Sequence, residues 1–392
     1  MTAARPPRPT PVSEPDSFSP FVLGRGFSLY LDAVRLFASL LVFASHLAYA
    51  RYTDGKFEWI RNLNLGSDAV VIFFVLSGFV IAHTTLSKHR PAGDYSTARL
   101  ARLYSVVLPA ILLTLCLDSA GATLFPDVYD APWYNADHRL TQMLTSLTFL
   151  SQGWGGDIRL GTNGPFWSVA YEAWYYVAFG VAIYCQGRTR SLLLVVVALI
   201  AGPRVLLLLP CWLLGVVLQK VMNTSRFAAL GSRAALAFCV LPLALYAGAQ
   251  TMDLPALLTD ITTRLLGGKS PKLLFGFSDE FLWNVLIGIF AALHFMGTAR
   301  LLNAADQIGT KFEAAIRWGA GATFSIYLFH NPILSFLHAL PVYDAANPLH
   351  WLVLTSTTLA ACFALAELSE RRLTAWKAIF SRLTSGLSRQ PA

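Results

Sequence analysis

The sequence predicts an all-α polytopic integral membrane protein, a helix bundle of about ten transmembrane helices with both termini in the cytosol. Three observations predict it. Of the 392 residues, 55% are hydrophobic and only 13% charged, and the mean hydropathy of +0.53 is too apolar for a soluble domain. Apolar runs near the length that crosses a hydrocarbon core, about 20 residues, recur from end to end, leaving no polar segment large enough to fold alone. Lys and Arg divide unequally between the segments joining those runs.

The first segment, MTAARPPRPTPVSEPDSFSP, is Pro-rich and polar and lacks the basic end, apolar stretch and small-residue cleavage site of a signal peptide. It reads as a disordered cytosolic tail over 1–26. Spans are expected at roughly 28–50, 67–86, 101–124, 166–185, 190–202, 205–221, 233–250, 279–299, 317–338 and 350–369, the fifth being short. Residues 371–392 read as a basic cytosolic tail, with no soluble domain appended. With the N-terminus inside, 20 of the 30 Lys and Arg fall on the inner side, 9 on the outer side and Arg35 within a span, and this bias sets the orientation.

The net charge of +8 follows from that bias, and no basic run interleaved with aromatics points to a nucleic-acid partner. Cys116, Cys185, Cys211, Cys239 and Cys362 all sit inside apolar runs without paired spacing, which argues against a disulfide framework or a metal site. The longest outer segments, about 125–165 and 251–278, carry Trp133, Tyr134, Trp154, Asp127, Asp130, Asp137 and Asp157. That mixture suits either ordinary loop surface or an interfacial platform for sugar contact. There is no H-E-x-x-H, no GxxxxGK[ST] and no dinucleotide glycine pattern, so metal hydrolase and ATP-driven pump readings lack support.

The first span, LDAVRLFASLLVFASHLAYA, carries Asp32, Arg35 and His46. Asp32 and Arg35 are three apart, and Arg35 and His46 eleven apart, close to three turns, so all three project from nearly one face. At 1.5 Å per residue Arg35 and His46 are separated by roughly 16 Å along the axis. Ionisable groups at such depth face a bundle interior or a wet cavity and need partners. Pairing of Asp32 with Arg35 at one interface, with His46 reaching toward the other, is the plain structural alternative.

The spacing of Arg35, ten residues and His46, in a first span beginning LDAVR, resembles the acyltransferase family 3 membrane proteins. The likeness continues in order: SDAVVIFFVLSGFVIA over 67–82, Arg99 and Arg102 in RLAR, NGPFWSVAYEAWYY over 163–176 as a W-S-x-x-x-E segment, and FSIYLFHNP over 324–332. It covers about residues 28–370. The acidic residue many members carry before the double Phe is absent, with Val71 and Ile72 in its place.

The resemblance implies an acyltransferase of the cell inner (plasma) membrane, with acyl-CoA, chiefly acetyl-CoA, as the cytosolic donor substrate. The acceptor it implies is a hydroxyl of a surface glycan, a lipid-linked sugar or a related molecule; no bound cofactor is expected. Arg99 and Arg102, i and i+3 at the inner end of the third span, are expected to grip CoA phosphate together with Arg35; the alternative is simple positive-inside anchoring. His46 is the expected general base, taking a hydroxyl proton during attack on the thioester without an acyl-enzyme. Ser77 and Ser168 lie in no nucleophile-elbow sequence, and the Ser77-Gly78 pair reads mainly as a site of close helix approach.

Arg35 is expected to orient the pantetheine or polarise a carbonyl, with Asp32 holding Arg35. Glu172, four residues after Ser168 on one helix face, is expected to orient His46 or an acceptor hydroxyl. Tyr327 and His330 are expected either to line the cavity or to anchor at the interface. His83 and His294 read as satisfied or interfacial. The competing functions are a proton-coupled transporter and an exporter of a lipid-linked sugar without acyl transfer, both natural for a polytopic bundle with intramembrane polar groups.

Overall fold

The structure, a computed structural model, describes residues 21–87, 89–131, 133–154, 156–305 and 309–384; most of the expected N-terminal tail and residues 385–392 lie outside them. The described chain is helical, with one isolated bridge between Leu160 and Asn163. The main helices are α1 (Arg25–Leu47), α2 (Leu65–Leu86), α3 (Ala92–Leu124), α4 (Phe166–Tyr184), α5 (Gly187–Met222), α6 (Ser232–Thr251), α7 (Phe281–Leu302), α8 (Thr310–Ala320), α9 (Thr323–His338), α10 (Pro348–Leu368) and α11 (Leu373–Thr384).

Among the described residues, seven helical stretches are long and apolar enough to cross a membrane. The ten expected spans reduce to these for identifiable reasons. Expected spans five and six form the single α5, broken at Gly202 (φ 79°, ψ 170°), which Pro203 follows. The chain doubles back there. Tyr184, just before α5, donates to Arg90 O, and Asn223, just after it, accepts from Phe21 N, while Leu199 near the break accepts from the Trp154 indole at the opposite end of the bundle. The expected ninth span divides at Gly321 and Ala322 into α8 and the 16-residue α9, which falls short of the about 20 residues that cross a hydrocarbon core. The expected fourth span forms as the 19-residue α4 but carries Glu172 and four tyrosines.

Large side chains left uncovered, among them Phe37, Leu112, Leu192, Val195, Leu199, Leu243 and Leu352, are apolar. On helices of this length such surface belongs in lipid rather than water. Inside the bundle, α2 meets the second arm of α5 backbone to backbone. A Cβ on Gly78 would stand 2.0 Å from Trp212 O, and one on Gly215 would stand 2.0 Å from Val75 O. Only glycine fits at that crossing, the small-residue contact read from the second span.

Two helices finish the arginine end of the bundle. Glu313 of α8 accepts from Arg25 and Arg317, and Arg317 donates to Asp32 at 2.9 Å, so α8 is clipped along the start of α1. Those donors hold the Glu313 carboxyl below its usual range. Residues 373–384, expected as tail, form α11, which packs along α3: the Thr97 and Thr384 hydroxyls bond, and the Tyr104 and Phe380 rings lie 5.6 Å apart.

Candidate active site

A cavity of about 390 Å³ opens at the arginine end between α1, α2, α3, α4, α9 and α11. Its mouth and walls carry Arg35, Arg90, Arg99, Arg102 and Lys377; deeper apolar walls include Val70, Phe73, Phe74 and Val169; Ser77, Glu172, Ser168 and Tyr327 supply the polar interior. Five cations and one carboxylate line it, and with Arg102 paired to Glu370 the remaining four still leave an excess of positive charge, which low-dielectric walls focus on an entering anion.

The two expected phosphate arginines differ in availability. Arg102 donates to Glu370 Oε1 at 2.6 Å, and Glu370 Oε2 accepts from the Ser325 amide at 2.8 Å and the Ser325 hydroxyl at 3.0 Å. Glu370 is buried, with 2% of its side chain exposed, so Arg102 is already neutralised. Arg99 has no carboxylate partner among the described residues. Its guanidinium lies 5.8 and 5.6 Å over the Tyr95 and Tyr176 rings, and its Nε is buried without an acceptor. Among the described residues the ion-pair partner of Arg35 is Asp32, at 3.9 Å, while Asp32 makes its closer contact, 2.9 Å, with Arg317. The expected pairing of Asp32 with Arg35 is present as a long i, i+3 contact, and Asp32 is shared with the closer Arg317, so the Arg35 fork keeps donors for the cavity it lines.

Of the two roles expected of Glu172, a direct contact with His46 is not seen among the described residues; Ser77 and Tyr176 each donate to its Oε1 at 2.5 Å. Trp212 in turn donates to Ser77 Oγ at 3.2 Å. The i, i+4 spacing to Tyr176 and the tight α2–α5 crossing bring these groups to the cavity wall rather than toward the far end of α1. Ser168, one turn before Glu172, shares a 2.5 Å hydrogen bond with the Tyr327 hydroxyl.

A buried loop sets the register of α4. Gly161 (φ +47°) passes so close to Asp118 that a Cβ would stand 1.9 Å from its Oδ2, and Thr162 donates through N and Oγ1 to that carboxylate at 2.9 and 2.7 Å. Asn163 donates to Thr114 at 3.1 Å and to Leu328 O at 2.9 Å, and Asn331 donates to Thr162 O at 2.5 Å. The turn before Pro165 is thereby fixed to α3 and α9 together, which places Ser168 against Tyr327.

His46 and His330 meet beyond this floor, with ring centroids 4.9 Å apart. Neither lines the cavity. His46 Nδ1 lies 2.9 Å from Val42 O, and His330 Nδ1 lies 2.8 Å from Ile326 O. A carbonyl only accepts, so in each neutral ring the proton sits on Nδ1 and Nε2 keeps its lone pair. His330 Nε2 is buried with no partner. Tyr327 and His330 are three apart on α9, so one helical turn links the cavity floor to His46.

The structure thus gathers Arg35, Arg99, Arg102, Ser168, Glu172 and Tyr327 around the cavity, His46 and His330 beside each other one turn away, and Asp32 between Arg35 and Arg317. The sequence profile of the acyltransferase-domain family matches residues 28–367. The chain belongs to acyltransferase family 3. It is 28% identical over 157 residues to an O-acetyl transferase of Shigella phage Sf6, covering 39% of this chain and 45% of that protein. It is 31% identical over 154 residues to acyltransferase MdmB of Streptomyces mycarofaciens, covering 38% and 37%. The matched stretch spans less than half the length of either relative. No solved structure matches.

Several cavity residues of this family 3 chain escaped the sequence reading. Arg90 and Lys377 read only as inner-side charges. Ser77 read as a packing residue, though a hydroxyl and a carboxylate in neighbouring spans are a signal for pairing, since each needs a partner away from water. The residues His83 and His294 do have structural partners: His83 stacks on Phe79 with centroids 6.0 Å apart, and His294 bonds Tyr30 and, at 2.6 Å, Cys239 O.

Proposed function

We propose that the protein is an O-acyltransferase that moves an acyl group, chiefly acetyl, from acyl-CoA to a hydroxyl of a cell-surface glycan, a lipid-linked sugar or a related acceptor. The observation that carries this reading is a cation-lined cavity whose floor, Ser168 and Tyr327, lies one turn of α9 from the His46–His330 pair. The arginine end is cytosolic in this reading, as the Lys and Arg distribution favours. The bundle crosses the plasma membrane about ten times, with both arms of α5, α4 and α9 included.

Arg99, Arg90 and Lys377 receive the CoA phosphates, and the apolar walls at Phe73, Phe74 and Val169 enclose the pantetheine arm. Arg35 meets the arm farther in, where its fork of donors reaches an amide or thioester carbonyl. The acceptor hydroxyl approaches from the opposite side. His46 Nε2 takes its proton as the oxygen attacks the thioester carbon. The tetrahedral intermediate collapses to the ester, and the departing thiolate recovers the proton from the imidazolium. The Ser168–Tyr327 hydroxyls sit where a developing oxyanion is stabilised by fixed O–H dipoles. Glu172, with Oε1 engaged by Ser77 and Tyr176, positions the wall rather than the base.

The test is CoA release from acetyl-CoA by purified protein in lipid nanodiscs, with and without a crude surface-glycan extract. Acceptor-dependent release supports the reading. No release with acetyl-CoA or a panel of longer acyl-CoAs, from folded protein, favours the proton-coupled transporter or exporter instead.

A further inference from the structure

The His46 end of α1 carries a group of side chains that the transfer chemistry leaves unused. Arg51 and Arg61 both lie over the Tyr49 ring, their guanidinium carbons 4.3 and 3.4 Å from its centroid. The Tyr49 ring lies 6.2 Å from that of His46. Arg51 also sits 4.6 Å over Tyr52 and 4.9 Å over Trp133, and both of those rings pack on His338.

Two guanidiniums around one ring repel, and the usual remedy is a carboxylate between them. Among the described residues neither forms an ion pair, and Asp54 and Glu58, the acids of the same segment, pair with neither. Arg61 donates to Ser45 O at 3.1 Å, which anchors it to α1. Arg51 Nε is buried with no acceptor. Both lie in the segment between α1 and α2, on the side of the bundle where Lys and Arg are sparse, so general positive-inside anchoring does not account for them. Ring contacts hold the two forks in place, and a phosphate or carboxylate offers the planar or tetrahedral oxygens that such forks bind.

We propose that Arg51 and Arg61 bind an anionic group of the acceptor, so that the acceptor is a sugar bearing a phosphate or carboxylate near the hydroxyl that is acylated. The Trp133 and Tyr52 faces supply the stacking surface for its ring. This inference rests on the transfer reading above and names the acceptor class for it.

The experiment uses full-length protein in phosphatidylcholine nanodiscs and two readouts. The first is binding of dodecyl phosphate, followed by tryptophan fluorescence; the second is acetyl transfer to dodecyl glucosyl phosphate, dodecyl glucuronide and dodecyl glucoside. In the Arg51→Gln/Arg61→Gln protein, dodecyl phosphate binding weakens and the kcat/KM preference for the two anionic sugars over the glucoside falls, each by about tenfold or more. Arg51→Lys/Arg61→Lys retains most of both, and the KM for acetyl-CoA stays put in every variant. Equal dodecyl phosphate binding by wild type and the Gln variant, or an unchanged anionic preference, overturns the proposal. So does a wild-type response to phosphatidylglycerol in the nanodisc with none to the dodecyl probes, which assigns the site to bilayer headgroups. Arginine-dependent dodecyl phosphate binding without any acetyl transfer keeps the anion site and removes the transfer reading.

Discussion

His46 and His330 lie with their ring centroids 4.9 Å apart, each with Nδ1 committed to the carbonyl one turn back in its own helix. That arrangement leaves two basic Nε2 atoms from α1 and α9 side by side. His46 is only partly buried, whereas His330 is fully buried. The accessible member is the one suited to meet a hydroxyl, and the buried one fixes its position.

His330→Gln therefore lowers kcat by less than His46→Gln, because the first disturbs the position of the base and the second removes it. Loss of a general base costs about 10²- to 10⁴-fold. A steady-state comparison of the two variants, with the KM for acetyl-CoA as control, checks the order. Equal losses would make the histidines a single functional unit.

Arg99 and Arg102, three residues apart, separate into different phenotypes. Arg99→Gln raises the KM for acetyl-CoA by about tenfold or more, the scale of a lost charge-assisted contact, with little change in thermal stability. Arg102→Gln strands the buried Glu370 carboxylate and destabilises the protein by about 3–5 kcal/mol. Acyl-CoA kinetics and thermal unfolding of both variants in the same nanodiscs check this split.

Gly78→Ala and Gly215→Ala each put a methyl against a backbone carbonyl oxygen at the α2–α5 crossing. The carbonyls cannot swing aside as a flexible side chain would, so each substitution destabilises by about 1–3 kcal/mol. Gly248→Ala, where a Cβ meets nothing within 4 Å, serves as the control. Thermal unfolding curves of the three variants test the contrast.

Glu313 links pH to the docking of α8 on α1. Its carboxyl is held below the ordinary value of 4.5 by hydrogen bonds from Arg25 and Arg317. A depressed folded value means that its contribution is complete above the unfolded value and is lost as pH falls through the folded one. The difference in thermal midpoint between wild type and Glu313→Gln is accordingly constant from neutral pH down toward the ordinary carboxyl value of 4.5 and shrinks only as pH falls below it. A gap that closes at neutral pH would place the titration elsewhere.

Much of the site was legible because membrane insertion penalises every polar group that lacks a reason to be there. Arg35, His46, Ser168, Glu172, Tyr327 and His330 stand out against apolar runs, and all of them face the interior cavity or the histidine pair. Their partners were harder to read. Glu172 finds Ser77 across 95 positions and Arg102 finds Glu370 across 268, separations that no helical period encodes. Helix number was blurred by the same chemistry: a single glycine at 202 reverses α5, and the Gly321 break shortens α9, where hydropathy alone sees length and composition. The C-terminal helix α11 was hidden because its alternation of basic and apolar residues suits a solvated tail as well as a docked amphipathic helix.

The most direct test of the account is a single-turnover experiment with acetyl-CoA radiolabelled in the acetyl group, bound to wild-type and His46→Gln protein in nanodiscs before the glycan extract is added. The account predicts no label on the protein before acceptor, rapid movement of label into an alkali-labile ester after it, and loss of that movement in the variant with acetyl-CoA binding retained. Label attached to wild-type protein in the absence of acceptor, or ester formation at the wild-type rate in His46→Gln, would contradict direct transfer with His46 as the base.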